Sequence, residues 1–416
     1  MVKVLLFAST LTVMAGAVLS PVVELLRVQL GLSATAAGLV VTVHGASLAL
    51  AGPLVGRAFD RWGTRRPLAA GLLLYGVAGG AGLVVEAYPL LIATRLAFGV
   101  GAAFVFTGTT VALLDRYDGP RRDRVMGWRS TAISLGGVVW PLAGGALGAL
   151  SWHAPFAVYL LGVPLALLAW RLPGDHPHRP PAGRGSGRPV WNPALLGVYA
   201  LQCAATALLY AVLVFLPARL AGLGVTSTLA VALFSAALSL AMSAAGLAYP
   251  RLRARFGHSG LLRLAFAAWT LALLALAAGG TAAVPLAAAV LFGAGMGVAV
   301  PALTVLTGDL APPGRRGQAT ALLATAGFAG QFAAPLAFGP LDRPPAVFLA
   351  AAGLAAAALL ATALTGRRDR RANPAGAEPP DRTGPTASRR GPAAPPRAEP
   401  PGPDRAGSGC PPRTGP

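Results

Sequence analysis

Apolar runs of about twenty residues follow one another along this chain as far as residue 365, and they settle its solvent before anything else is decided. A run of that length, wound as a helix, crosses the roughly 30 Å of a bilayer's hydrocarbon. The helix also satisfies every backbone hydrogen bond within itself, which lipid demands. About twelve such spans can be counted. The balance of residue types agrees: 55% are hydrophobic, only 12% are charged and the mean hydropathy is +0.63, whereas about a quarter of a soluble domain is charged. The sequence therefore predicts an all-α membrane protein of twelve transmembrane helices.

A formal net charge of +20 suggests a nucleic-acid partner until the charges are placed. From Gly366 onward the tail holds ten Arg against five Asp or Glu. Most of the remaining excess falls in alternate connections, around 57–66, 116–129, 171–188, 251–263 and 315–316. The other connections offer Arg27, Arg219 and Arg343 against Glu24, Glu86 and Asp342. Basic loops stay on the cytoplasmic side, so the pattern predicts a multi-pass protein of the cell (inner) membrane with both termini cytoplasmic and no nucleic-acid role. Cys203 and Cys410 make no disulfide framework and no metal-ligand spacing. No cofactor and no metal are expected. The chain lacks GxSxG, GxxxxGK and HExxH, and no pair of carboxylates lies within a span, so covalent catalysis is disfavoured and an enzyme is not expected.

The first twenty-one residues carry Lys3, an apolar core and the small-residue run Ala15-Gly16-Ala17, the ingredients of a secretory signal. Removing them would leave an odd number of spans and break an internal duplication, so they read as the first helix. The duplication appears on shifting the chain by 194 residues, which carries Asp115, Arg121 and Arg122 onto Asp309, Arg315 and Arg316. The same shift takes Phe98, Gly99 and Gly101 onto Phe292, Gly293 and Gly295, Gly136 onto Gly330, and Pro141 onto Pro335. It also takes Arg61-Trp62-Gly63 onto Arg255-Phe256-Gly257, and with one residue of slip LGLS at 30–33 matches LGVT at 223–226. Two pseudo-symmetric six-helix bundles follow, 1–172 and 192–365, joined by a cytoplasmic linker at 173–191 rich in Pro, Gly and Arg. Parallel repeats of this kind build transporters whose halves rock about a site near the midplane. Residues 366–416 are too poor in large apolar side chains to bury a core and are expected to be a disordered cytoplasmic tail.

Between the second and third spans stands GRAFDRWGTRR, with five charges in eleven residues. Its pattern of Gly56, Asp60, Arg61, Gly63, Arg65 and Arg66 resembles the signature of the major facilitator superfamily, and the likeness extends over roughly residues 4–365. The resemblance implies that this loop latches the two halves at the cytoplasmic side, with Asp60 facing the start of the eleventh helix near Arg315 to Gln318 and Asp115 paired with Arg65 or Arg66. Gly63 suits the positive φ of a tight turn. In the second half the motif is degraded, with Pro250 and Ala254 in place of Gly56 and Asp60, which predicts a one-sided latch.

Three further stretches carry the likeness. RLAFGVGAA, beginning at Arg95, is similar to the family's fourth-helix pattern. That pattern implies proton coupling or an anion anchor for Arg95, the alternative being a side chain that snorkels to the outer headgroups. Gly127, Gly136, Pro141, Gly144 and Gly145 are similar to the fifth-helix bend of twelve-helix drug:proton antiporters, with Trp140 in the place of the glycine before proline. SWHAPFAVYLLGVP at 151–164 resembles the entry to the sixth helix, with His153 where arginine is common.

Among other residues, His44 falls near the middle of the second span, where an imidazole can carry a proton, bond a substrate or simply pack against a backbone carbonyl. Glu24 is a further coupling candidate, although Arg27, three residues on, is spaced to pair with it at the rim. Thr107, Gln202, Tyr210, Met296 and Gln331 are placed to line a central cavity. The resulting expectation is a monomeric secondary transporter in the bilayer, alternating access and expelling small amphipathic substrates in exchange for protons. An importer or exchanger of a small organic anion or metabolite is the alternative, and a non-transporting membrane sensor a third reading.

Overall fold

A computed structural model describes residues 2–117, 119–171, 192–312 and 315–372, and every regular element among them is helical. Among the described residues eight helices are long and apolar enough to cross a membrane, and the bent pair Ala34–Thr42 and His44–Gly52 adds a ninth. The count reaches twelve because one 51-residue helix, Thr228–Ala278, breaks at Gly257 and makes two spans. Two shorter crossings complete the set. We number the spans α1 (Val2–Gln29), α2 (34–62, bent at Val43), α3 (65–83), α4 (Tyr88–Leu114), α5 (Gly119–Gly148) and α6 (Ala154–Trp170) in the first half. The second half holds α7 (Pro193–Ala221), α8 (228–256), α9 (258–278), α10 (Ala283–Leu310), α11 (Arg316–Phe338) and α12 (Pro344–Ala372). The twelve-helix expectation holds. The last helix continues through 366–372, which the sequence reading assigned to the tail. The linker 173–191 and the rest of the tail, 373–416, lie outside the described residues.

The duplication is visible residue by residue. Ser33 opens α2 by accepting a hydrogen bond from the Ala36 amide, and Ser227, 194 residues later, opens α8 by accepting from Ala230. Such caps satisfy amide donors that the first helical turn leaves free. Gly63 and Gly257 occupy equivalent turns with φ of +70° and +65°, a region closed to most side chains. Gly99 leaves room for the carbonyl of His44, and Gly293 leaves room for the carbonyl of Leu238. In each half, the second helix can approach the fourth only because one Cβ is missing.

Within the first half α1 packs on α5, and α3 packs on α4 and α6; within the second, α7 packs on α11, and α8 and α9 pack on α10. The halves meet along α5 with α8 and α2 with α11. Ser20 donates to the Leu213 carbonyl at 2.6 Å and Thr228 to the Gly145 carbonyl at 2.7 Å. Gly38 faces Pro335, and Gly145 lies so close to the Thr228 carbonyl of α8 that a side chain there would collide with backbone. These contacts belong to the end of the molecule away from the basic loops. Toward the basic end, Gly52, Gly56, Gly127 and Gly317 have open space where a Cβ would stand.

Candidate functional site

Arg95 on α4 is completely buried, so it does not snorkel. Its guanidinium lies 4.6 Å from the ring centre of Phe98, 4.6 Å from that of Tyr159 and 4.9 Å from that of Phe156. None of its three side-chain nitrogens has a hydrogen-bond partner. Two of the surrounding tyrosines are spoken for: Tyr75 donates to the Leu11 carbonyl at 2.7 Å and Tyr159 to the Ala15 carbonyl at 2.9 Å, both on α1. The site is an aromatic box holding an uncompensated charge. Ring quadrupoles stabilise a desolvated cation by about 2 kcal/mol, less than the several kcal/mol that removing it from water costs. That residual demand is the property on which chemistry can act.

One ring away lies the contact that bridges the halves. His44 and Phe98 meet edge to face with ring centres 5.6 Å apart. On its other side, His44 Nε2 is 2.9 Å from Nε2 of Gln331 on α11. Both residues are buried, at 2% and 3% exposure. His44 thereby makes a side-chain contact from one bundle to the other. Gly45 permits it, since a side chain there would press on Gln331 and on the Phe328 carbonyl. Phe106 of α4 and Phe328 of α11 stand edge to face at 6.0 Å on the side nearer the basic end. Phe106 is 41% exposed.

The latch residues lie at the basic ends of α2, α3 and α4. Asp60 is exposed, and among the described residues no hydrogen bond or ion pair joins it to Arg315, Arg316 or Gln318. Asp115 accepts a hydrogen bond from Thr64 at 3.2 Å, a partner that sequence reasoning missed. Arg65 lies over the Trp170 ring at 5.5 Å, and Arg61 lies 5.9 Å from the Trp62 ring. Arg66 is exposed, and Gly63 forms the expected turn.

Glu24 pairs with Arg27, with 2.6 Å between Oε1 and Nη2. The pair lines a cavity of about 380 Å³ with Asp342 of the second half, at the end away from the basic loops. On α5, Gly136 approaches Thr10 of α1, Gly144 approaches Val18, and Gly145 approaches Thr228 and Ala232 of α8. Pro141 lies within the same helix. Trp140 is buried and meets Phe7 edge to face at 6.1 Å, so the indole is absorbed against α1. Gln202 bonds Thr206 within α7. Among the described residues no group of three or more His, Cys, Asp or Glu could hold a metal ion.

The residues that sequence reasoning missed are Tyr75, Phe156 and Tyr159. Aromatic residues in a span read as ordinary core, and only the packing of α3, α4 and α6 brings these three to one guanidinium.

A profile of the Major Facilitator Superfamily matches residues 5–335. Multidrug resistance protein 1 of Bacillus subtilis (strain 168) is 32% identical over 164 residues, 38% of this chain and 41% of that protein. The class C tetracycline resistance protein of Escherichia coli is 32% identical over 156 residues, 37% of each chain. The quinolone resistance protein NorA of Staphylococcus aureus (strain MRSA252) is 27% identical over 176 residues, 42% of this chain and 45% of that one. These matches thus span about two fifths of each relative's length. Among solved structures, the nucleoside transporter NupG superposes with a TM-score of 0.69 at 17% identity, covering 87% of this chain and 97% of that one. A D-xylose–proton symporter does so with a TM-score of 0.70 at 16% identity, covering 87% and 96%.

Proposed function

The chain belongs to the Major Facilitator Superfamily, and from that premise we propose that it exports small amphipathic compounds in exchange for protons by alternating access. It is a multi-pass membrane transporter of small molecules. The proposal concerns direction, coupling and orientation: the basic loops face the cytoplasm, and this conformation is the one open to the cytoplasm.

One observation carries the reading. Ser20–Leu213, Thr228–Gly145 and His44–Gln331 join the two pseudo-symmetric halves, the first two toward the end away from the basic loops. A pseudo-symmetric pair of bundles joined at one end has an obvious second state, joined at the other. Engaging Asp60 with the start of α11 would be part of closing the basic end. Export is favoured by the resistance proteins among the relatives. Coupling is assigned to Arg95 and His44, the buried basic groups among the described residues, since ionisable residues inside a membrane are retained for function.

The test is efflux in inverted vesicles with an imposed proton gradient, combined with proton release from the purified chain on ligand addition. The reading expects gradient-dependent uptake by the vesicles, and altered proton stoichiometry in Arg95→Ala and His44→Ala. Unaltered stoichiometry in both variants would remove the coupling assignment.

A further inference from the structure

One face of α5 points away from the rest of the protein. Gly136, Trp140 and Gly144 approach Thr10, Phe7 and Val18 of α1, while Gly137 and Gly145 approach Ser239 and Ala232 of α8. At about 3.6 residues per turn, the side of the helix opposite those contacts carries Arg121, Arg124, Trp128, Leu135 and Val139, and all five are exposed. Large apolar groups exposed in a row along a span are covered by lipid. A face that begins with two arginines and a tryptophan and continues as leucine and valine therefore runs from the headgroups into the hydrocarbon.

Where it begins, that face is hollow. Arg121, Arg124, Val125 and Trp128 line a cavity of about 610 Å³ with Val2 of α1 and Tyr117, which follows α4. The volume lies in the range of clefts that hold small ligands. Arg121 is set over the Tyr117 ring at 5.1 Å, and no carboxylate belongs to the lining. At about 1.5 Å per residue, Trp128 lies about 10 Å and Leu135 about 21 Å further along the helix than Arg121. The cavity is thus basic at its start and continuous with an apolar track, which is the polarity of a phospholipid. A soluble phosphate would use the arginines and leave the track without a role. The second half has no counterpart: the shift that reveals the duplication takes Tyr117, Arg124 and Trp128 onto Ala311, Gln318 and Leu322.

We propose that this cavity binds an anionic phospholipid, with its phosphate held between Arg121 and Arg124 and one acyl chain laid along Trp128, Leu135 and Val139. Guanidinium groups pair with phosphate through charge-assisted hydrogen bonds, and an indole is suited to the boundary between headgroup and chain. The inference needs α5 to span a bilayer and is independent of the direction and coupling of transport.

Trp128 itself reports the result. The full chain is reconstituted in phosphatidylcholine vesicles in which a rising fraction of the lipid is brominated on its acyl chains, either as phosphatidylglycerol or as phosphatidylcholine. Emission from Trp128 is taken as the difference between wild type and Trp128→Phe. Brominated phosphatidylglycerol is expected to quench it at a mole fraction about tenfold lower than brominated phosphatidylcholine, as two arginines beside an anionic headgroup imply. In Arg121→Gln/Arg124→Gln the gap falls to within about twofold. In Arg253→Gln/Arg255→Gln, which removes as much charge from the basic end of the other half, it is kept. The substituted side chains are exposed, which spares the fold; should the first double variant fail to reconstitute, Arg124→Gln alone narrows the gap to about threefold. Millimolar glycerol 1-phosphate is expected to leave the quenching unchanged. Equal quenching by the two lipids in wild type overturns the proposal, as does a gap that survives loss of both Arg121 and Arg124. Relief of quenching by glycerol 1-phosphate overturns it too, assigning the arginines to a soluble phosphate.

Discussion

The two halves share a backbone plan and differ in chemistry. In the first, Arg95 sits in a box of Phe98, Tyr159 and Phe156 beside Tyr75. At the equivalent place in the second, 194 residues on, Arg95 becomes Ala289, Tyr75 becomes Trp269 and Phe98 becomes Phe292. There Trp269 stacks on Phe292 with ring centres 5.4 Å apart and donates its indole N–H to the Phe292 carbonyl at 2.9 Å. One site is an unsatisfied charge and the other a satisfied apolar plug. The same asymmetry recurs where His44 faces Leu238 in the alignment, and where Asp60 faces Ala254. Duplication supplied the scaffold, and among the described residues the buried basic side chains, Arg95 and His44, belong to the first copy.

That contrast can be broken by substitution. The largest effect is expected for Arg95→Ala, which should lower transport by about a hundredfold, or roughly 2.7 kcal/mol of activation free energy. Ala289→Ser at the equivalent position should leave transport within about twofold, because surrounding groups there are already paired. Measurement of both in the same vesicles tests whether function is one-sided. Next come Gly99→Val and Gly293→Val, each forcing a side chain against a carbonyl of the neighbouring helix. Overpacking of this kind costs about 1–3 kcal/mol, and thermal melts should show similar losses in both halves, since here the copies are alike.

A smaller effect follows from the bond between bundles. Gln331→Leu removes a buried hydrogen bond worth about 1 kcal/mol, and should raise the population open at the end away from the basic loops by about fivefold. Cysteine labelling at that end reads the change. The smallest effect on stability is expected for Asp60→Asn. An exposed side chain with no hydrogen bond or ion pair among the described residues changes the melt by less than about 0.5 kcal/mol, yet transport should slow if the proposed latch closes through this carboxylate. Ala254→Asp should change neither.

Much of this was legible in the sequence, for reasons that are physical. Span count and duplication follow from hydropathy and from repeated charges and prolines, which chance does not place 194 residues apart. The turns at Gly63 and Gly257 were legible because positive φ selects glycine. Arg95 and His44 stood out because polar groups inside spans are costly. Their partners did not: Gln331 looked like one weak cavity residue among several, and Tyr159 like ordinary core. Pairing across 287 residues between His44 and Gln331 is a tertiary fact with no local signature. The motif around Asp60 was legible, while what its carboxylate meets in the fold was not.

The central claim is that the two bundles rock, closing one end as the other opens. The most direct measurement is double electron–electron resonance in a cysteine-free background, with one spin pair at Arg122→Cys and Arg255→Cys at the basic end and another at Leu150→Cys and Thr281→Cys at the opposite end. On lowering the pH or adding a transported compound, the account predicts that one distance shortens while the other lengthens, with two populations in each. Distances that stay fixed, or that change in the same direction while transport proceeds, would contradict it.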